Sequence, residues 1–535
     1  MKRTVAATLL SLCIAAQTAA QGLKSGRYEL PYKNTYVKEV FVAENEYRTA
    51  APERIDPRPF DEARRILPAP YWEGHDKEIE MYWHAWRIAV GNIRQPQEGS
   101  GFVSPYLDMA YNGNIFMWDM SFMMLYARYG YRYFPFQRSM DNFYAKQHPD
   151  GFICREIRAD GSDCFERYDP TSTGPDLLPW IELTYFRQFG DIDRLHRIFP
   201  ALCGYAKWWK LNRTWPDGTY WSSGWGTGMD NMPRVKPEYN PIFSHGHMVW
   251  LDTNLQQMLV DESLLQIGFH IERWQEIEWM EEEMKMLKRY INEHLWDERD
   301  GFLHDRYGDG SLCPTKGIGA YWALQTDALD KERLDRLVAH LSDTTEFARP
   351  HRVPSLSADH AKYNPVGRYW QGGVWPGTNY MVIDGLWRKG YRAQAREIAA
   401  NHYASVFEVW KKTGTFWEYY APERPEPGFM ARKDFVGWTG LPPIAVFIEY
   451  VLGIKSDYSE RRIEWDVTHT EAHGIERYPF GPNGVVDLKV RRRGSSSEVP
   501  AVTVSTDVPF DLTVLWGDGQ SRTVHVEKSG EVKLD

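Results

Sequence analysis

From about residue 76 to residue 454 apolar side chains recur every three or four positions, the spacing of a helix with one face on a core. Asp76 stands as an N-cap ahead of Ile79, Tyr82, Trp83, Trp86, Ala89, Val90 and Ile93. The same spacing predicts helices at about 117–131, 136–147, 176–189, 191–211, 247–267, 270–296, 317–327, 331–342, 373–389, 392–412 and 438–453. The clearest stripe, Ile277, Met280, Met284, Leu287, Ile291 and Leu295, predicts one continuous helix over 270–296. Links as short as Phe189-Gly190-Asp191 and Lys389-Gly390-Tyr391 pair the twelve helices as six hairpins. No fixed repeat with matching residues argues for a solenoid. The pattern therefore predicts a mainly α fold, an (α/α)6 barrel of alternating inner and outer helices over 76–456. Its long links, 148–175, 212–246, 297–316, 343–372 and 413–437, would gather at one end, and long loops on a compact domain carry function.

After Ser456 the period shortens to that of strands. Val485–Val490, Ala501–Val504, Leu512–Trp516, Thr523–Val526 and Val532–Leu534 read as strands, and Gly517-Asp518-Gly519 as a hairpin turn. These predict a small antiparallel β-domain over 457–535. Residues 21–75 form an N-terminal arm whose polar, Pro-rich stretch 22–70 reads as extended. Residues 1–20 have the charged start Lys2-Arg3, a short apolar run from Val5 to Ala16 and the small residues Thr18-Ala19-Ala20, the pattern of a secretory signal cleaved before Gln21. The expectation is an exported protein, periplasmic or secreted, without membrane insertion, since no later segment is long and apolar enough to span a bilayer.

Charge narrows the partners. The net charge of −10 becomes −12 once Lys2 and Arg3 are removed with the signal. An acidic chain does not suit nucleic acid or an anionic membrane surface. Aromatic residues reach 15%, with 23 Trp, and many stand in Gly- and Pro-containing segments where rings can stack on sugar faces. Cys154 and Cys164 flank the turn Ala159–Ser162, which permits a bridge across a hairpin; Cys203 and Cys313 are scattered. His245 and His247, two apart, read as a polar loop and not as a metal site. No metal and no cofactor is expected.

Four segments carry candidate chemistry. In Phe116-Met117-Trp118-Asp119 an acid beside an indole at a helix start suits sugar hydroxyls, although Asp119 could also serve as a cap. In the run from Tyr220 to Asn231 three glycines let the backbone turn, and Asp230 sits among Trp221, Trp225 and Met229; an apolar setting raises a carboxyl pKa, as a general acid requires, while an Asx-turn is the plainer alternative. Tyr369-Trp370-Gln371-Gly372-Gly373-Val374-Trp375-Pro376 offers rings and an amide as a sugar platform, or a helix entry with core tryptophans. Glu418, in Gly414-Thr415-Phe416-Trp417-Glu418-Tyr419-Tyr420, could activate a water, or could be a surface residue paired with Arg424, Arg432 or Lys433. Two carboxylates in separate aromatic loops are what glycosidic hydrolysis needs.

Taken in order, Trp118-Asp119, Gly228-Met229-Asp230-Asn231, the 369–376 run, Trp417-Glu418-Tyr419-Tyr420 and Gly437-Trp438-Thr439-Gly440 resemble the series found in inverting exo-glycosidases of the clan that includes trehalases, processing α-glucosidase I and mannosylglycerate hydrolase-like enzymes. The resemblance covers roughly 116–454. It implies an (α/α)6 barrel, Asp230 as general acid and Glu418 as general base. It also implies a sugar subsite shaped by Trp118, Asp119, Gln371, Trp375 and Trp438, with Arg155 and Glu156 in a loop that contributes contacts; Trp225 belongs to the same aromatic surroundings. Two departures count against trehalose and the glucosyl cap of N-glycans as substrates: Gly226-Thr227-Gly228-Met229 separates Trp225 from Asp230, and a Trp-Arg-Gly run reads Trp370-Gln371-Gly372 here.

The expected reaction is exo-hydrolysis of a terminal bond in an oligosaccharide or glycoside, with inversion, the two carboxyls standing roughly 6.5–9.5 Å apart. Three other readings compete: a polysaccharide lyase using Tyr168 and His245, a phosphorylase that keeps one carboxylate, and a non-catalytic glycan-binding protein.

Overall fold

The computed structural model describes residues 22–25, 28–31, 40–109 and 111–534. The segment read as an export signal lies outside them. The helical period is realised in Asp76–Gly91, Met117–Ala127, Leu178–Phe189, Ile192–Asn212, Leu251–His270, Trp279–Tyr290, Lys331–Ala339, Pro376–Arg388 and Arg392–Thr413. Local signals fix several ends: Asp191 and Asp330 cap by accepting from Arg194 N and Arg333 N, and Gly190 and Gly414 close helices at φ +68° and +72°. Asp76 does not cap; it is the first helical residue, after His75.

Other predicted helices are realised differently. The 270–296 stripe divides into a 3-10 turn Trp274–Ile277, the helix Trp279–Tyr290 and a π turn Ile291–Leu295. Ile318–Gln325 is a 3-10 helix, and 136–147 splits into Phe136–Met140 and Asp141–Ala145. The last predicted helix is a 3-10 turn Trp438–Gly440 leading into a π-helix Leu441–Val451. Pro442 and Pro443 bring no N–H to its first turn, and apolar spacing does not report which carbonyl an N–H will choose.

Met117–Ala127 and Leu441–Val451 are buried on every side, whereas Trp279–Tyr290 and Lys331–Ala339 bury a single stripe. Helices therefore differ as inner and outer ones do. Leu441–Val451 packs on Asp76–Gly91, Met117–Ala127, Pro376–Arg388 and Arg392–Thr413, and Leu178–Phe189 packs on Met117–Ala127 and Leu251–His270. Glu449 ties three buried segments together: it pairs with Arg128 at 2.7 Å and accepts from the Tyr129 and Tyr380 hydroxyls, each at 2.7 Å.

Two sheets follow. One has the order Ile454–Asp457, Arg462–Val467, Phe510–Trp516, Gln520–Val526. The other has the order Gly530–Val532, Val502–Thr506, Val485–Val490, His473–Pro479, Ala69–Trp72. Trp516 pairs with Gln520, so 517–519 is the predicted hairpin turn. The region is not wholly antiparallel: Arg462–Val467 runs parallel to Phe510–Trp516, because the chain builds the second sheet over 473–506 before it returns. The arm is not simply extended either. It holds the short helices Val40–Glu44 and Phe60–Ile66, and its strand Ala69–Trp72 edges the second sheet beside His473–Pro479. Elements of four to seven residues leave no readable period. No helix among the described residues is long and apolar enough to cross a membrane.

Beneath the loop that carries Glu418, His351 Nε2 and His402 Nδ1 meet at 2.9 Å, with the His351 ring 5.6 Å from that of Tyr420. Both imidazoles are buried, His351 Nδ1 and His402 Nε2 lack partners, and burial pushes both pKa values down, that of His402 to about 3. The folded chain thus resists protonation that the unfolded chain accepts near pH 6.5. The stability contributed is complete above that pH and is lost progressively as pH falls from about 6.5 toward 3. The melting temperature is expected to drop steeply below pH 6, and His402→Gln to flatten that drop; an unchanged acid limb in the variant would show that other groups govern it.

Candidate active site

The starts of several helices converge on one cavity of about 310 Å³. Trp118 and Asp119 stand in the first turn of Met117–Ala127, Tyr369 and Trp370 just before Pro376–Arg388, and Trp438 just before Leu441–Val451. Asp230 comes from the long Gly-rich loop, Arg155 and Glu156 from the 148–175 loop, and Glu418 and Arg432 from the 413–437 loop. Met109, Tyr111, Asn112, Phe116, Trp225 and Gly228 complete much of the wall.

Each loop is held by backbone or buried bonds. Trp438 Nε1 donates to Glu418 O at 2.7 Å and Thr439 Oγ1 to Trp417 O at 2.7 Å, so the Gly437–Gly440 run straps the Glu418 backbone. Glu418 N donates to Arg432 O at 2.9 Å, and Arg432 N reaches Glu418 Oε2 at 3.4 Å. Asn231 couples the Asp230 loop to the 369–376 run: its Oδ1 accepts from Trp370 N at 2.8 Å, and its carbonyl accepts from Gln371 Nε2 at 3.1 Å. Gly228, at φ +71°, lies under the Trp118 indole; a Cβ there would stand 2.9 Å from ring atoms. Only glycine permits both that backbone and that close approach.

The cavity holds four carboxyls, Asp119, Glu156, Asp230 and Glu418, and two guanidinium groups. Burial is the largest influence on Asp119, Asp230 and Glu418 and raises the pKa of each, Asp119 well above the ordinary range. Arg155 opposes this at Asp119 and Asp230, and Arg432 opposes it at Glu418. The Asp230 charge raises Glu418, and both raise Asp119, so the three groups share one field. Arg155 Nη1 donates to Trp225 O, and its guanidinium lies 5.2 Å from the Phe165 ring centroid and 5.7 Å from that of Trp225. Arg432 lies 3.3 Å over the Tyr111 ring. Glu156 Oε1 accepts from Asn114 Nδ2 at 2.7 Å.

Of the residues singled out in the sequence, Trp118, Asp119, Arg155, Glu156, Trp225, Asp230, Glu418 and Trp438 line this cavity. Gln371 and Trp375 do not. The Gln371 amide is spent on Asn231 O, and the fully buried Trp375 is stacked on Trp370 at 4.1 Å and on Tyr419 at 4.3 Å, a support beneath the wall. Tyr369, Trp370, Tyr111, Asn112 and Arg432 line it instead. Tyr369 and Trp370 were already in the sugar-platform run; nothing in the sequence separates a ring that lines from one that supports. Glu418 is buried and does not pair with Arg424 on the surface; Arg424 is near Glu426. Tyr168 and His245, the lyase candidates, do not line the cavity. Cys154 and Cys164 are not bridged: Cys154 Sγ donates to Glu156 O at 3.1 Å, and Cys164 Sγ accepts from Asn114 Nδ2 at 3.7 Å. Among the described residues no group of three His, Cys, Asp or Glu side chains could hold a metal ion.

A carboxyl-lined, aromatic-walled cavity where helix starts converge belongs to a glycoside hydrolase, and comparison with known proteins agrees. The model of the mannosylglycerate hydrolase MGH1-like glycoside hydrolase domain matches residues 114–439, and the chain belongs to that family. An uncharacterised protein of Borreliella burgdorferi is 24% identical over 360 residues, 64% of this chain and 73% of its own length. A probable mannosyl-oligosaccharide glucosidase of Schizosaccharomyces pombe is 24% identical over 281 residues, 46% of this chain; the match spans only 34% of that relative. A solved GH63 mannosylglycerate hydrolase of Thermus thermophilus in complex with glucose shares the fold, with a TM-score of 0.55 at 18% identity over 69% of this chain and 99% of that one. The protein is a glycoside hydrolase with a carbohydrate substrate.

Proposed function

We propose that the helices close as an (α/α)6 barrel and that the cavity hydrolyses a terminal glycosidic bond with inversion. Asp230 gives its proton to the leaving oxygen as the C–O bond breaks, and Glu418 takes a proton from the water that attacks the anomeric carbon. The observation that carries this reading is that Asp230 and Glu418, 188 positions apart in the sequence, line one cavity, where the Asp230 charge raises the Glu418 pKa. Burial raises the Asp230 pKa, the direction a general acid needs, and at Glu418, where burial also raises the pKa, the Arg432 guanidinium opposes it and favours the ionised form. Trp118, Trp370 and Trp438 offer apolar faces to the sugar, and Asp119, Arg155 and Glu156 offer polar partners to its hydroxyls. The chemistry asks for no metal. Tyr168 and His245, the residues a lyase reading called on, do not line the cavity.

Stereochemistry tests the mechanism. Proton NMR of the first-formed sugar, taken before mutarotation, is expected to show the anomer opposite to the substrate. A product of retained configuration would replace single displacement with a covalent intermediate.

A further inference from the structure

One residue beside Asp230 has an unusual backbone. Tyr369 sits at φ +59°, in the left-handed region where an aromatic residue is strained. The surroundings fix it there. Its carbonyl accepts from Gly373 N at 3.0 Å and from Trp375 Nε1 at 3.2 Å. Both flanking peptides are clamped to the residue after Asp230: Asn231 Nδ2 donates to Arg368 O at 3.3 Å, and Trp370 N donates to Asn231 Oδ1 at 2.8 Å. The Tyr369 ring stands edge-on to Trp375 at 5.0 Å and to Tyr419 at 5.6 Å, which sets its direction. Thus placed, it lines the same cavity as Asp230, and its hydroxyl and the Asp230 carboxyl act on each other's ionisation.

We propose that Tyr369 is a positioning residue for the general acid, its hydroxyl donating to the Asp230 carboxyl so that one oxygen is held and the other faces the leaving group. The inference rests on the reading of Asp230 as that acid. The groups facing Asp230 are Arg155 from the 148–175 loop, Tyr369 from the 343–372 loop, the Trp225 indole N–H from its own loop, and the Asp119 and Glu418 charges from two further elements. Burial and the charges of Asp230, Glu418 and Asp119 raise the Tyr369 pKa well above its ordinary value, so the phenol keeps its proton and serves as a donor. When Asp230 has passed its proton to the glycosidic oxygen and the bonding pair has left with that oxygen, the hydroxyl stabilises the carboxylate that remains. The strain at φ +59° is the structural cost of presenting it there.

Tyr369→Phe removes the hydroxyl and keeps the ring box. Loss of a donor to the charged form raises the Asp230 pKa, and the acid works protonated, so the alkaline limb of the kcat/KM–pH profile is expected to move up by about one pH unit. On an unactivated glycoside chosen from a panel, kcat is expected to fall about tenfold with KM changed less. The Asp230 resonance in a 13C-aspartate-labelled protein, assigned with Asp230→Asn, is expected to titrate higher in the variant, a readout that needs no substrate. A titration and limb that stay in place while activity falls would overturn the inference and leave Tyr369 a packing residue. Wild-type activity in Asp230→Asn on an unactivated glycoside would instead refute the assignment of the acid, whatever Tyr369 does.

Discussion

Asp230→Asn and Glu418→Gln are each expected to lower kcat on an unactivated glycoside by about 10²–10⁴-fold, the range that positioned acid or base catalysis contributes. Neither exchange changes side-chain volume much, so melting temperatures should stay near that of the unmodified protein or rise, since each removes a buried ionisable group. The two losses should differ in kind. A leaving group of low pKa, such as dinitrophenolate, departs without a proton, so it should restore much of the Asp230→Asn rate and little of the Glu418→Gln rate. Phosphate-dependent turnover by the parent, with Glu418→Gln retaining activity, would instead identify a phosphorylase. Equal activity of both variants with the parent would refute both assignments.

Arg234→Met is expected to give the largest loss of stability. Arg234 donates to Asp252 at 2.7 and 2.8 Å and from Nε to Asp305 Oδ2 at 2.8 Å, and all three side chains are buried. Asp305 Oδ1 also accepts from Leu251 N, and Asp252 Oδ1 from Thr253 N, so the triad pins the start of the helix Leu251–His270 to the end of the Asp230 loop. The fork of a guanidinium reaches both carboxylates at once. A methionine fills similar space and leaves two buried negative charges facing each other, at a cost of about 3–5 kcal/mol. Denaturant unfolding measures it. Adding Asp252→Asn and Asp305→Asn to Arg234→Met should recover part of the loss, because the unpaired charge, not the missing contact, dominates it. A cost near ~1 kcal/mol would show that water or relaxation satisfies the pair.

Much of this protein can be read from the order of its residues. Helix spacing located most long helices, because a face that must be buried repeats about every 3.6 residues wherever the helix is regular. It placed helices over 438–453 and 270–296 but gave neither the π-helical form of Leu441–Val451 nor the break in the other, because there the backbone bonding departs from i→i−4 while the apolar stripe continues. The acids Asp230 and Glu418 were legible because each is an isolated carboxylate among glycines and rings, an environment whose chemistry does not depend on knowing the fold. Arg432 was legible only as a charge near Glu418.

The chain itself thus determined which segments are helical and which carboxylates stand apart, since periodicity, caps and local apolar neighbours act over a few residues. Only the tertiary structure decided which aromatic rings face the cavity and which lie behind it. Trp370 and Trp375, five apart in one run, are stacked face to face, one on the wall and one beneath, and no local rule ranks them. Depth is set by contacts among loops more than a hundred residues apart, such as Asn231 with Trp370, and those contacts exist only once the core has brought the loops together.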